Sequence, residues 1–184
     1  MINLIGTQTI HTERLLLRKF REGDAAVMYR NYTSDPNVTR YTSWPTHPSQ
    51  DVTEQFLAYQ LGRYADDSGF VWAIEFDGEI VGSIDVISMS KKNEHCEIGY
   101  CLGSKWWNKG IMTEALRAVE GYLFDKAGFH CVCACHHENN PASGRVMEKA
   151  GMQYEGTLRA RKKNADGTFG SIKYYSILKE EFQH

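Results

Sequence analysis

The stretch "EIGYCLGSKWWNKGIMTEAL", Glu97 to Leu116, constrains the fold more than any other part of the chain. "HCEIGYCLG" (His95–Gly103) reads as a strand, and a short loop holding Lys105, Lys109 and Gly110 follows it. Beyond the loop, Met112, Ala115, Leu116, Val119, Tyr122 and Leu123 recur at steps of three and four, the period of an amphipathic helix. Gly128 supplies its stop. A strand that passes through a glycine turn straight into such a helix needs a sheet for the helix to cover. The chain is therefore expected to be a mixed α/β domain.

The flanking segments agree. "ERLLLRKF" (Glu13–Phe20) reads as a first strand, and "REGDAAVMYRNYTSDP" as a helix entered at Asp24 and stopped before Pro36. Ser49 is placed to cap a helix over "QDVTEQFLAYQLGRY". "FVWAIEF" and "EIVGSIDVI" flank Asp77-Gly78, a dipeptide that favours a two-residue type I′ hairpin turn. "CVCACH" is a strand, and "PASGRVMEKAG" a short helix with Pro141 in its first turn and Gly151 at its end. "MQYEGTLR" and "SIKYYSILK" close the chain as strands, joined through a turn containing Asn164 and Asp166-Gly167. No repeat, low-complexity tract or linker interrupts residues 1–184, so one domain is expected.

Composition excludes several classes. The chain has 184 residues, enough to bury a core without disulfides or metal, with 42% hydrophobic and 24% charged residues. A net charge of -2, from 21 basic and 23 acidic residues, argues against a general nucleic-acid or membrane surface. No apolar run reaches the roughly 20 residues that span a bilayer. "MINLIGTQTIHTERLLLR" lacks the pattern of a signal peptide. Five cysteines without a secretory context read as free thiols in a reducing cytoplasm.

Two segments carry chemistry. In the loop before the long helix, free backbone N–H groups and the helix dipole attract phosphate, glycine permits close approach, and lysine adds charge. The loop therefore reads as a pyrophosphate cradle, although a plain strand–loop–helix turn is the competing account. It contains neither G-x-x-x-x-G-K-[ST] nor G-x-G-x-x-G. The second segment is "HCVCACHHENNPAS", His130–Ser143. Cys131, Cys133 and Cys135 alternate, so a strand directs all three to one face, about 6–7 Å apart and unlike the converging C-x-x-C knuckles of zinc sites. They are expected to pack in the core against a helix, with no metal bound. His136 and His137 are expected as polar residues at the strand end. "RARKKN" (Arg159–Asn164) carries four positive charges in five residues and reads as a solvated strand end, with an acidic acceptor as the alternative.

Taken together, "TERLLLRKFREGDA", "YTSWPTHPSQD", "EIVGSIDV", "EIGYCLGSKWWNKGIMTEAL" and "ENNPASGRVMEKAGMQYEGTLR" resemble the GNAT superfamily of N-acyltransferases. The similarity is greatest to its RimJ/RimL-like branch of ribosomal-protein N-terminal acetyltransferases, and it covers nearly the whole chain. Trp107–Met112 matches the Q/R-x-x-G-x-G/A pyrophosphate loop, with Trp107 in place of Gln or Arg and Met112 in place of Gly or Ala. The resemblance implies a mixed, mostly antiparallel sheet, splayed at its centre between two parallel strands and flanked by helices. It implies acetyl-CoA as co-substrate and no metal. Main-chain groups of Ile98, Tyr100 and Leu102 would hold the pantetheine arm. Trp107, Asn108, Lys109, Gly110, Ile111, Met112 and Thr113 would form the pyrophosphate loop, and Asn140 would bond the pantetheine. Ser143 would face the sulfur and give a proton to the departing thiolate. Glu155 is the expected base, with Glu97 as the second candidate, and Tyr41 and Trp44 are placed to line the acceptor cleft.

An α-amine has a pKa of roughly 7.7–8.0 and a lysine about 10.4, so an N-terminal acceptor needs far less help to lose its proton. A protein N-terminal amine is therefore the expected acceptor. A small amine such as a polyamine or aminoglycoside, or a CoA-binding module without turnover, are the alternatives. A cytoplasmic monomer or homodimer is expected.

Overall fold

The computed structural model describes residues 2–65, 67–164 and 167–183. Strands β1 (Ile10–His11), β2 (Leu15–Arg18), β3 (Val71–Phe76), β4 (Glu79–Ser90), β5 (His95–Leu102), β6 (Cys131–His137), β7 (Gln153–Lys163) and β8 (Phe169–Leu178) form one sheet. Its order is β1-β2-β3-β4-β5-β6-β8-β7. Every neighbouring pair is antiparallel except β5 and β6, which run parallel. A parallel pair needs a crossover, and helix α4 (Ile111–Asp125) provides it.

The two faces are covered by different helices. On one face α4 and α5 (Pro141–Ala150) pack on alternate strand residues, including Trp72, Ile84, Ile98, Val132, Ala134 and Ile177. All six apolar residues expected to form the buried stripe of α4 are buried. On the other face α1 (Ala25–Met28), α2 (Pro36–Thr39) and α3 (Gln50–Gly62) cover Val71, Ala73 and Ile80. These helices reach β5 only at its Cys101 end, and among the described residues the rest of the β5–β6–β8–β7 half has no helix on this face, leaving an open floor beside them.

Local signals account for most element ends. Asp77 (φ 51°) and Gly78 (φ 78°) both take the left-handed conformation that the predicted hairpin turn requires. Ser49 precedes α3 in an extended conformation as expected, although its hydroxyl makes no capping bond. The helix expected over Asp24–Asp35 is broken instead: α1 runs into a π-helical turn at Tyr29–Thr33, and Pro36 opens α2 rather than ending its predecessor. Proline tolerates a first-turn position because its missing N–H has no intrahelical partner there, and Asp35 caps the helix by accepting from the Asn37 amide at 2.9 Å. In the predicted turn between the last two strands, Asp166 lies outside the described residues. Among the described residues, no helix is long and apolar enough to cross a membrane.

Candidate active site

Strands β5 and β6 pair only from His95↔Cys131 to Ile98↔Ala134. Beyond those residues β5 continues on β4 and β6 on β8, with no ladder between them. The facing edges of Gly99–Leu102 and Cys135–His137 therefore border a gap in the middle of the sheet. This splay places Ile98, Tyr100 and Leu102 along one lip. Past the last pair at Ile98, the main chain of Tyr100 and Leu102 has no β6 partner, as an edge that pairs with an extended ligand does, with the Leu102 carbonyl taken by a side-chain donor.

At the end of β5 the loop turns through a 3-10 segment, Ser104–Trp106, into α4. Trp107, Asn108, Lys109 and Gly110 are exposed, whereas Ile111 and Met112 are buried behind them. Asn108 (φ 61°) and Gly110 (φ 75°) are left-handed, a backbone form that turns successive amides toward a common side. Gly110 occupies the N-cap without a side-chain cap, so the first amides of α4, Ile111 to Thr113, receive no side-chain acceptor. A 15-residue helix that begins with uncapped amides presents free N–H groups and the positive end of its dipole there. The loop is braced from outside the motif. Arg14 Nη1 donates to the Lys109 carbonyl at 3.0 Å, and Arg14 Nε to Glu114 at 2.7 Å. The Thr12 hydroxyl donates to the same carboxylate at 2.6 Å. Glu114 favours the first turn through the helix dipole, but its partners 100 and 102 residues away leave no local mark in the sequence. The replacement at Trp107 is accommodated by an indole N–H that donates to the Leu102 carbonyl at 2.7 Å.

The gap is chemically different on its two sides. Toward α5, the Tyr100 phenol donates to the Ser143 carbonyl at 3.0 Å and lies 3.0 Å from the Ser143 hydroxyl. A phenol has one proton; with that proton on the carbonyl, its oxygen accepts from the serine. Burial pushes the Tyr100 phenol well above the usual tyrosine range, so it stays protonated. Asn140, half-buried, precedes α5 without capping it by its side chain. The Tyr100 side chain was not foreseen as part of the site. Its alternation with Ile98 placed it on the α5 side, but the partner could be known only from the fold.

Toward the open floor stand Glu97 on β5 and Cys135 on β6, the Cys135 thiol donating to Glu97 Oε1 at 3.3 Å. Glu97 is one residue before the last paired position of β5, an interior strand. Glu155 is exposed at a bulge in β7, where its carboxylate accepts from the Ser176 hydroxyl. Strands β6 and β8 lie between Glu155 and β5, so the two candidate carboxylates occupy the same face but not the same place. Tyr41 stacks on His137 with ring centroids 5.3 Å apart, at the far end of β6. Trp44 turns toward α3, against His47 and Phe56.

The cysteine strand corrects two expectations. Val132 and Ala134, not the thiols, take the helix-covered core face, and Cys131, Cys133 and Cys135 lie half-buried on the open floor. The alternation put the three on one face as expected; which face depended on the neighbours. The Cys131 and Cys133 sulfurs are 3.7 Å apart, closer than their backbones, because side chains lean together. Burial and the adjacent Cys131 push the Cys133 thiol up to about 12, and burial and Glu97 do the same for Cys135. These are protonated, unreactive thiols. Among the described residues no group of three or more histidine, cysteine or acidic side chains is arranged to hold a metal. His136 and His137 are buried rather than solvated. The His137 ring accepts from the Asn139 amide at 3.1 Å, so its other nitrogen donates to Asn164.

Residues 14–153 match the family model described as the acetyltransferase (GNAT) domain. The chain is 31% identical over 179 residues to the uncharacterized N-acetyltransferase p20 of Bacillus licheniformis, covering 95% of this chain and 98% of that protein. It is 27% identical over 156 residues to the [ribosomal protein uS5]-alanine N-acetyltransferase of Escherichia coli, covering 79% of this chain and 78% of that one. Among solved structures, a GNAT-family acetyltransferase from Bacillus anthracis superposes with a TM-score of 0.83 at 30% identity, covering 95% of this chain and all of the other. With the parallel pair parted at its centre and an uncapped helix at its mouth, the chain belongs to the GNAT family and is an acetyl-CoA-dependent N-acetyltransferase.

Proposed function

We propose that the acceptor is a protein N-terminal α-amine and that the reaction is run by groups on the two sides of the gap. The observation that carries this reading is the end of β5–β6 pairing at Ile98 and Ala134, with a carboxylate on one side and a hydroxyl pair on the other. Lys109 and the amides of Ile111, Met112 and Thr113 hold the pyrophosphate, with Trp107, Asn108 and Gly110 shaping the loop. The exposed edges of β5 and β6 hold the pantetheine arm with Asn140, and a main-chain amide of β5 polarises the thioester carbonyl. The amine nitrogen attacks that carbonyl carbon and the carbon–sulfur bond breaks. Glu97 takes the ammonium proton through water before attack, the acylated nitrogen gives up its second proton to solvent, and the Ser143 hydroxyl, held by Tyr100, passes a proton to the thiolate and regains one from water. Glu155, two strands away, is the second candidate for base.

Two arguments support an α-amine. The uS5-alanine enzyme named above acts, by its name, on an alanine of a ribosomal protein. Glu97 also stands at the gap without an ion-pair partner among the described residues, whereas Asp85, opposite Gly99, is paired with Arg63. One carboxylate acting through water suits an amine that is already partly uncharged at neutral pH.

The test is a thiol-release assay with two peptides, one with a free amino terminus and no lysine, the other N-acetylated with an internal lysine. At pH 7 the first is expected to react faster by roughly a few hundredfold, in line with its larger uncharged fraction. Equal rates, or a preference for lysine, would overturn the assignment.

A further inference from the structure

Strand β7 loses register with β8 between Leu158 and Lys162, so that Arg159, Ala160 and Arg161 stand where the partner strand offers one residue. All three are exposed, and Ala160 has a left-handed backbone (φ 49°). A bulge of this size re-aims side chains that a regular strand would send straight out on both faces. Lys162 crosses the floor instead of pointing to solvent: its ammonium donates to the carbonyls of Tyr41 at 2.8 Å and Thr42 at 3.4 Å. Arg40 lies over the Tyr41 ring at 5.4 Å, so a further cation borders the same edge. The positive field of Arg161 reaches Tyr174, the β8 residue opposite Cys135 on the floor.

None of Arg40, Arg159, Arg161, Lys162 and Lys163 has a carboxylate within ion-pair distance among the described residues. This concentration stands out in a chain whose net charge is -2. The acidic groups on this face include Glu97 at the gap, Asp85 on β4 paired with Arg63, and Glu155 on β7 before the bulge. Charge is thus ordered along the face: an unpaired carboxylate, Glu97, at the gap, and beyond it cations without an ion-pair partner among the described residues. A molecule that complements this order carries its positive end at the gap and negative groups behind it.

We infer that the acceptor is a peptide with acidic side chains close behind its amino terminus, held over the floor by the β7 bulge and Lys162. This deepens the α-amine reading and rests on it. The terminal amine enters between Glu97 and the gap. The following Asp or Glu side chains then pass beside Lys162 and the exposed arginines of the bulge. Arg159 and Arg161 supply planar donors suited to carboxylates, and Lys162 ties the peptide channel to the Tyr41 loop.

The experiment uses three peptides with the same first residue and, at positions two to five, Asp and Glu, Gly and Ser, or Lys. Initial rates are measured on the full chain at low and high salt. The acidic peptide is expected to exceed the neutral one in kcat/KM by about tenfold at low salt, and by much less at high salt, because exposed pairs are screened. Arg159→Glu with Arg161→Glu should bring the acidic-to-neutral ratio to about one or below it. Arg161→Gln alone should give an intermediate ratio, which keeps the test open if the double reversal folds poorly. Equal use of the acidic and neutral peptides, or an acidic preference that survives both variants, overturns this inference and leaves the α-amine reading standing. Acetylation of none of the three, with CoA release on small amines, overturns both.

Discussion

At the scale of single residues, the two candidate bases separate on position alone. Both Glu97 and Glu155 belong to short motifs that read equally well as catalytic, and no local pattern ranks them. The fold does so, because β6 and β8 stand between Glu155 and β5. Glu97→Gln is expected to lower kcat at pH 7 by about a hundredfold or more, the usual weight of a general base. Its KM for acetyl-CoA should change little, since the carboxylate is on the floor side and the coenzyme loop is not. The deficit should shrink as pH rises past the pKa of the acceptor amine, because the free amine is then present without a base to generate it. Glu155→Gln should cost less than about threefold, as expected of a group outside the reacting centre. A pH-independent loss in Glu97→Gln, or a larger loss in Glu155→Gln, would return the base to Glu155. Residue types were thus legible from the sequence and their distance from the gap was not: strand order decides it, and strand order is a non-local property.

At the scale of elements, α4 shows what periodicity reveals and what it conceals. The spacing of Met112 through Leu123 foretold the buried stripe, but Glu120 is also fully buried, with neither carboxylate oxygen hydrogen bonded. Helical spacing identifies the apolar stripe but not how far a neighbouring helix widens it, and here α5 packs against α4. Burial pushes the Glu120 carboxyl up to about 8, from an ordinary value of 4.5. The folded state therefore keeps a proton that the unfolded state releases. Stability contributed by the neutral form is complete below about pH 4.5, falls as pH climbs toward 8, and levels off above it. The slope over that window is bounded by one proton, roughly 1.4 kcal/mol per pH unit. Denaturant melts of the protein and Glu120→Gln at several pH values isolate this contribution, since other groups titrate alike in both. The difference in unfolding free energy should move in favour of the variant between pH 5 and 8. Glu120→Leu should be more stable than the protein by about 1–3 kcal/mol at pH 7, for removing an unpaired buried polar group. A pH-independent difference would mean that water or a neighbour satisfies the carboxyl.

At the scale of the whole molecule, the site exists because one parallel pair is inserted into an otherwise antiparallel sheet. The α/β class, the Asp77-Gly78 hairpin and the strand–loop–helix unit were legible locally, because turn chemistry and periodicity act over a few residues. The parting of β5 from β6 beyond Ile98 and Ala134 has no local signature and came only through family resemblance, and the insertion of β8 between β6 and β7 was not read from the sequence at all. The brace of Arg14 and Thr12 on Glu114 is of the same kind, since it ties the first paired strands to the mouth of α4. Coenzyme bound at that mouth is therefore coupled to the global fold. At a ligand concentration of 100 times Kd, acetyl-CoA should stabilise the folded state by about 2.7 kcal/mol. For a chain of this size that corresponds to a rise in Tm of roughly 5–10 °C. Gly110→Asp should remove the rise while leaving the unliganded protein folded. Aspartate tolerates the left-handed backbone and is a favoured N-cap, and an added Cβ at Gly110 meets only Arg14 Nη2, at 3.4 Å. Its carboxylate then satisfies the free amides of α4 and repels the pyrophosphate from the position it must occupy. Gly110→Asn keeps the backbone and the cap without the charge, and should retain part of the shift. A full thermal shift in Gly110→Asp would mean that the diphosphate is held elsewhere, and the reading of the loop would fall with it.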